Sequence, residues 1–244
     1  MSQKKVMEYQ YYDFLKYHLL MILIPMLLII VLYFESIVSV VSDIYRFYRV
    51  LFGEDDSKPL ILFLIILKKL IKLGLSTFLL FLIAKVIKTG LYFLPYLALK
   101  GRPTLTFIKI VKIGIRNIIP VFMVTFAGGI LISAVSSFVL LIPILNVFSF
   151  LVVPFLLALM TVLYDYAFSI NQLHGKPIYY DLHRHFYDLY MEDKRFLLYA
   201  TLLALSYFVM GAVLVRPFIQ MQITKRLENV SKHSMNDVPY VMSF

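Results

Sequence analysis

Lys85 and Lys88 stand one helical turn apart in a run, Leu73 to Leu99, that carries no other charge. A lysine ammonium at the centre of a bilayer costs at least about 2.5 kcal/mol on insertion scales. Each therefore needs a counter-charge, water, or a path by which its stem lifts the ammonium to a headgroup layer. Two readings stay open: an electrostatic site for a small anion, or a pair of snorkelling side chains. Asp165, between Tyr164 and Tyr166, is the only acid between Asp56 and Asp181. It is placed to close an ion pair with Lys88 or Lys100, or to act as a gate or binding element. Lys85, Lys88 and Asp165 are the candidate substrate-binding residues, and the chemistry they offer is charge recognition.

Other constellations offer less. His183-Arg184-His185 lies near Asp181 and Asp188, at i−4 and i+3 from His185, which is within reach on a helix. The two histidines are two positions apart and face different ways, and no HExxH spacing exists. A solvated helix face is expected there, with no metal. Thr125, Ser133, Ser136 and Ser137 share an apolar stretch with Gly128-Gly129, a pattern of close helix approach rather than of nucleophiles. No histidine lies inside a span to act as base; His18 stands only at an edge. The absence of cysteine excludes disulfides and thiolate chemistry. No enzyme, cofactor or metal is expected.

The elements that must hold these residues are membrane helices. Hydrophobic residues make up 61% of the chain and charged residues 16%, against about 25% charged in soluble proteins. From Ile118 to Leu163 there is no charge at all. That stretch is too long for one crossing, since about 20 apolar residues span a ~30 Å hydrocarbon core. Ile142-Pro143-Ile144-Leu145-Asn146 supplies a turn, so helices over 118–141 and 147–168 are expected to fold back as the packing core. The net charge of +10 comes from basic residues beside apolar segments. These suit anionic lipid headgroups and not nucleic acid.

In chain order, residues 1–17 read as an interfacial N-terminus with no cleavable leader, and 18–99 as a long antiparallel membrane hairpin. In the hairpin, an apolar run from Leu19 to Phe34 is followed by a polar stripe, Glu35, Ser39, Ser42, Asp43, Arg46 and Arg49, at helical spacing. Gly53 to Pro59 is the turn, and closing the pair at residue 56 sets Asp43 beside Lys69. One helix over 18–52 would outreach the bilayer, so the tip projects. The alternative is two ordinary spans joined by an interfacial helix. Residues 100–230 read as a degenerate repeat. Gly101-Arg102-Pro103 and Gly175-Lys176-Pro177 each precede an amphipathic helix and a membrane helix. The first amphipathic helix carries Lys109, Lys112 and Arg116; the second carries Leu182, Phe186 and Leu189 on one face. A last span over 197–215 ends at Arg216-Pro217, an interfacial helix follows, and 231–244 is a tail. Five spans result, and Lys and Arg divide too evenly to orient them clearly.

The order of elements resembles the CysZ family of bacterial membrane proteins, grouped with the etoposide-induced membrane proteins. The resemblance rests on Ile142-Pro143-Ile144, Tyr164-Asp165-Tyr166-Ala167-Phe168 and Phe93-Leu94-Pro95-Tyr96, and is closest over 117–196. Ala167 stands where the family has proline, and the family's Phe-Gly pair and later Ile-Pro-Leu-Leu-Asn turn are missing. The resemblance implies two long membrane helices, hairpins interleaved with amphipathic helices, and uptake of sulfate across the bacterial inner membrane.

The expected protein is thus all-α and polytopic, with a long projecting hairpin and interfacial amphipathic helices. Its expected function is permease or channel for a small, sulfate-like anion. The alternative is a non-catalytic structural or accessory subunit of a larger membrane assembly. Expected partners are anionic lipid and, through residues 42–72, further copies or other membrane subunits.

Overall fold

The structure, a computed structural model, describes residues 3–53, 58–100, 106–141, 149–209 and 211–236. Residues 54–57 of the turn expected over 53–59, the turn expected at 142–146, the Gly101-Arg102-Pro103 tripeptide and the tail beyond 236 lie outside the described residues, as does the Glu35 side chain. Among the described residues there are eight helices and no strand. They are α1 (Gln3–Leu51), α2 (Pro59–Leu91), α3 (Leu94–Lys100), α4 (Phe107–Leu141), α5 (Ser149–Leu173), α6 (Leu182–Tyr190), α7 (Arg195–Phe208) and α8 (Ala212–Asn236). Three of them, α2, α4 and Phe150–Leu173 of α5, are long and apolar enough to cross a membrane. The all-α membrane class expected from composition is the class observed.

The chain forms two compact units, one of Leu20–Lys85 and one of Met1–Leu19 with Val86–Phe244. The first is the helical hairpin. The Lys69 ammonium meets the Asp43 carboxylate and also donates to Ser39 Oγ at 2.7 Å. That is the register expected from a turn at residue 56. Phe47 and Phe63 meet with ring centroids 6.4 Å apart, and Val40, Leu62, Ile66 and Leu80 are buried. Both helices are unbroken, which decides for a long hairpin and against two spans joined by a separate helix. At a rise of about 1.5 Å per residue, the 33 residues of α2 extend roughly 50 Å. On the same rise, the 49 residues of α1 extend roughly 73 Å. This helix begins at Gln3 instead of His18. No glycine or proline precedes Pro25, so nothing stops the helix earlier. Pro25 itself, inside α1, removes only the donor that would reach the Met21 carbonyl.

The second unit is built around the end of α5. Every residue from Val162 to Asn171 is buried, so this segment is enclosed on all sides. α7, α8, α4 and α3 pack around it. The uncharged 118–163 stretch is therefore not the core as a whole. On α4, Ile119, Met123, Phe126, Ile130 and Phe138 are exposed, as suits a face toward lipid.

Near its start, α4 touches the end of α2 backbone to backbone. A Cβ at Gly90 would overlap the Ile110 carbonyl, and one at Gly114 would overlap the Val86 carbonyl. Reciprocal glycines of this kind let two helices cross closely.

Two sequence expectations change here. The basic stretch with Lys109, Lys112 and Arg116 is no separate interfacial helix but the opening of α4, which continues through Pro120. The proline removes only the donor for the Arg116 carbonyl, too little to end a helix packed on both sides of it. The last span over 197–215 is also not one helix. The Ser206 carbonyl accepts from Val209 N (3.3 Å) and Gly211 N (2.8 Å), which closes α7; Gly211 O then accepts from Leu214 and Val215, which opens α8. The 14 residues of α7 reach about 21 Å, short of the ~30 Å hydrocarbon core. The two halves of the expected repeat consequently differ: the first is one continuous helix, the second two short ones.

Candidate functional site

Polar groups converge inside the second unit from four elements. Asp165 sits in the enclosed segment of α5 and is 0% exposed; Arg216, in the second turn of α8, is 11% exposed. Its guanidinium grips the carboxylate with two parallel bonds, Nη2 to Oδ1 at 2.8 Å and Nε to Oδ2 at 3.1 Å. This is the fork geometry that makes arginine the residue of choice for a buried pair. The guanidinium also lies over the Tyr92 ring, 4.8 Å from its centroid, a cation–π contact strengthened by the dry surroundings.

Gln220, one turn after Arg216, completes the cluster. Its Nε2 donates to Asp165 Oδ1 (3.0 Å) and to the Leu91 carbonyl (2.9 Å). The amide nitrogen being the donor, Oε1 must accept, so His18 Nε2, 2.9 Å away, carries the hydrogen. Tyr92 is placed by a tight turn after α2, with Tyr92 N on Thr89 O and Phe93 N on Gly90 O. Its carbonyl accepts from Ser169 Oγ at 3.2 Å. Tyr92, Tyr164, Phe93 and Phe168 pack as one aromatic group, with Tyr164 stacked on Phe168 at 5.1 Å.

Asp165 thus has its counter-charge, but the partner is neither Lys88 nor Lys100. Its two oxygens take three donors from Arg216 and Gln220, and the pair is closed to bulk water. Chemically it is a neutral clamp that ties the start of α1, the end of α2, α5 and α8 together. Lys85 is half-buried in the hairpin unit, and Lys88 is exposed in the other. Lys88 and Asp165 are not brought together.

Sequence reasoning took Arg216 for a span terminus and passed over Gln220 and Tyr92. A signal was present. Arg216 follows an uncharged run from Phe196 to Val215, and a cation in that setting demands an acid. The only acid in comparably apolar surroundings is Asp165.

The remaining candidates are accounted for locally. His183 is exposed and His185 buried, on different faces as their spacing requires. His185 Nε2 donates to Asn171 Oδ1 at 2.8 Å, and Asn171 Nδ2 donates to the Ile178 and Tyr180 carbonyls. That pins the 174–181 turn, where Gly175 takes φ +67° and Lys176 N bonds back to Asn171 O, a glycine-closed helix end. Burial pushes the His185 imidazole below its ordinary pKa. The inward face of α6 is His185, Leu189 and Tyr190, with Phe186 turned outward. Among the described residues, no three His, Asp or Glu gather where they could hold a metal.

The hydroxyls of Thr125, Ser136 and Ser137 bond to carbonyls of their own helix. Gly128 makes the expected close approach, its missing Cβ leaving room for the Tyr164 hydroxyl, whereas Gly129 faces open space. On the hairpin, Ser36, Ser39, Val40, Lys69 and Lys72 line a recess of about 230 Å³.

Fold and site define a helical membrane protein with a buried ion-pair clamp. No family model, no curated protein and no solved structure matches the chain.

Proposed function

We propose that the protein is a permease or channel for a small anion in the bacterial inner membrane. The observation that carries this reading is the placing of Lys85 and Lys88 one turn apart on α2, a helix otherwise apolar enough to cross a bilayer. Lysine ammoniums along such a span attract anions and repel cations. The CysZ-like order of elements makes sulfate the first anion to assay, and the permease reading carries kinship with that family as part of the proposal. Purified protein in liposomes should pass sulfate or chloride, and Lys85→Leu with Lys88→Leu should abolish most of that flux. Equal flux in the double variant would remove these lysines from the path.

A second reading rests on a different observation. Apolar side chains are exposed along the whole hairpin, from Phe34 (72%) and Phe78 to Phe52 and Leu60 (69%) near its tip. Helix α2 is about 50 Å long, so roughly 20 Å of it extends beyond a ~30 Å core, and next to the tip Leu60, Ile61, Phe63 and Leu64 stay exposed. Lipid tails cannot cover that excess, which favours a protein partner and a scaffold or accessory role. Pull-down from detergent-solubilised membranes tests it. A stoichiometric partner that is lost on shortening the 42–72 segment supports the subunit reading; a protein that elutes alone and still conducts anions rejects it.

A further inference from the structure

Where the turn after α6 meets α7 and α8, a cleft of about 720 Å³ opens, lined by both charged and apolar side chains. Its acids are already engaged. Asp193 takes Arg195 through two bonds, 2.8 and 2.7 Å, and lies 3.6 Å from Arg226 Nη1. Glu192 takes Arg226 Nη2 at 3.0 Å. The Arg195 bonds hold Asp193 below its ordinary pKa, so it stays ionised. Lys225 lines the same cleft, half-exposed, and among the described residues no ion pair or hydrogen bond engages its ammonium. Arg226 Nε is buried and, among the same residues, also lacks an acceptor. Arg195, Lys225 and Arg226 against Glu192 and Asp193 leave the cleft with one positive charge in excess.

Apolar surface leads away from it. Phe196 and Tyr199 line the cleft on α7. Tyr199 meets Phe218 of α8 edge-on, centroids 5.6 Å apart. Past that contact, Leu202 follows Tyr199 by three positions on α7, and Leu214 precedes Phe218 by four on α8, each on the same helix face. Both are exposed. A headgroup-sized, singly positive cleft therefore opens onto two apolar strips that run toward the turn between α7 and α8.

We propose that this cleft binds the phosphodiester headgroup of an anionic phospholipid. One phosphodiester carries the single negative charge that the cleft lacks, and the half-exposed Lys225 ammonium supplies donors for its oxygens. The acyl chains lie along Leu202 and Leu214. The site is independent of Lys85, Lys88 and the Asp165–Arg216 clamp.

The test compares dioleoylphosphatidylglycerol, dioleoylphosphatidylcholine and inorganic phosphate as ligands of the full-length protein in a neutral detergent, by native mass spectrometry. Phosphatidylglycerol should bind in preference to phosphatidylcholine. Lys225→Gln should weaken it about tenfold, the scale of one charge-assisted contact. Asn229→Asp, which keeps Lys225 but adds a negative charge to the rim, should weaken it as well. Lys68→Gln, a charge loss on the hairpin, should leave it unchanged. Equal binding of the two lipids overturns the proposal, as does undiminished binding in both cleft variants. Displacement of the lipid by millimolar inorganic phosphate assigns the cleft to a soluble anion and overturns the lipid assignment.

Discussion

Replacing Asp165 by Asn is the sharpest probe of the buried clamp. Asn keeps the volume and an oxygen for Gln220 Nε2 but removes the charge that Arg216 was brought into the interior to meet. The guanidinium, 11% exposed, then keeps the Tyr92 face and a bond to that one oxygen, but loses its Oδ2 acceptor and the negative charge that neutralised it. Removing one partner of such a pair costs about 3–5 kcal/mol, because the survivor stays buried and unpaired. Arg216→Met should cost a similar amount by stranding Asp165. The double variant leaves neither charge and an apolar chain of similar length, so it should cost far less than the sum of the singles. At roughly 2–4 °C per kcal/mol for a chain of this size, each single variant should unfold on the order of 10 °C lower. The chain lacks tryptophan, so far-UV circular dichroism in one fixed detergent is the suitable readout. Additive costs in the double variant, or single variants within about 1 kcal/mol of the parent, would refute the clamp.

Gly90→Ala should destabilise strongly, since its Cβ falls on the Ile110 carbonyl and 2.6 Å from Ile110 Cγ2, whereas Gly129→Ala meets nothing. The latter should be neutral or gain up to about 1 kcal/mol in helix propensity; unfolding midpoints separate the two. For pH, burial lowers the folded pKa of His185 below its unfolded value. Its stabilising share is therefore complete above about pH 6.5 and is lost as pH falls through that value toward the folded pKa. The midpoint should drop on acidification from about pH 7.5 to 5.5, and His185→Gln should flatten that slope. A midpoint that rises on acidification contradicts this sign. On the hairpin, Asp43→Cys with Lys69→Cys should cross-link readily, in a chain with no cysteine of its own. Cross-linking no faster than for Asp43→Cys with Leu75→Cys would refute the register.

The register of the hairpin was legible because antiparallel helices of equal rise pair by arithmetic once a turn is placed. Asp43 and Lys69 follow from Gly53 to Pro59 alone. Helix limits were less legible. Pro25, Pro120 and Pro154 all lie inside helices, since one lost donor in a packed helix costs less than unwinding it. The break at 209–211 went the other way, in a run whose hydropathy gives no sign of it.

The clamp was half visible. Asp165 stood out as an isolated acid, yet its partner lies 51 positions on and could not be chosen over Lys88 or Lys100 by spacing. The core likewise moved from the uncharged 118–163 stretch to the segment from Val162 to Asn171.

Composition and periodicity by themselves determined the class of the protein, the hairpin and its pairing. These depend on local transfer free energy and on helical rise, which each residue and its near neighbours carry. The tertiary structure alone decided which cation neutralises Asp165, that residues 197–215 break into α7 and α8, and that Lys225 overlooks a cleft. Those outcomes depend on which distant surfaces meet, and a buried charge selects its partner by geometry that no single stretch of sequence contains.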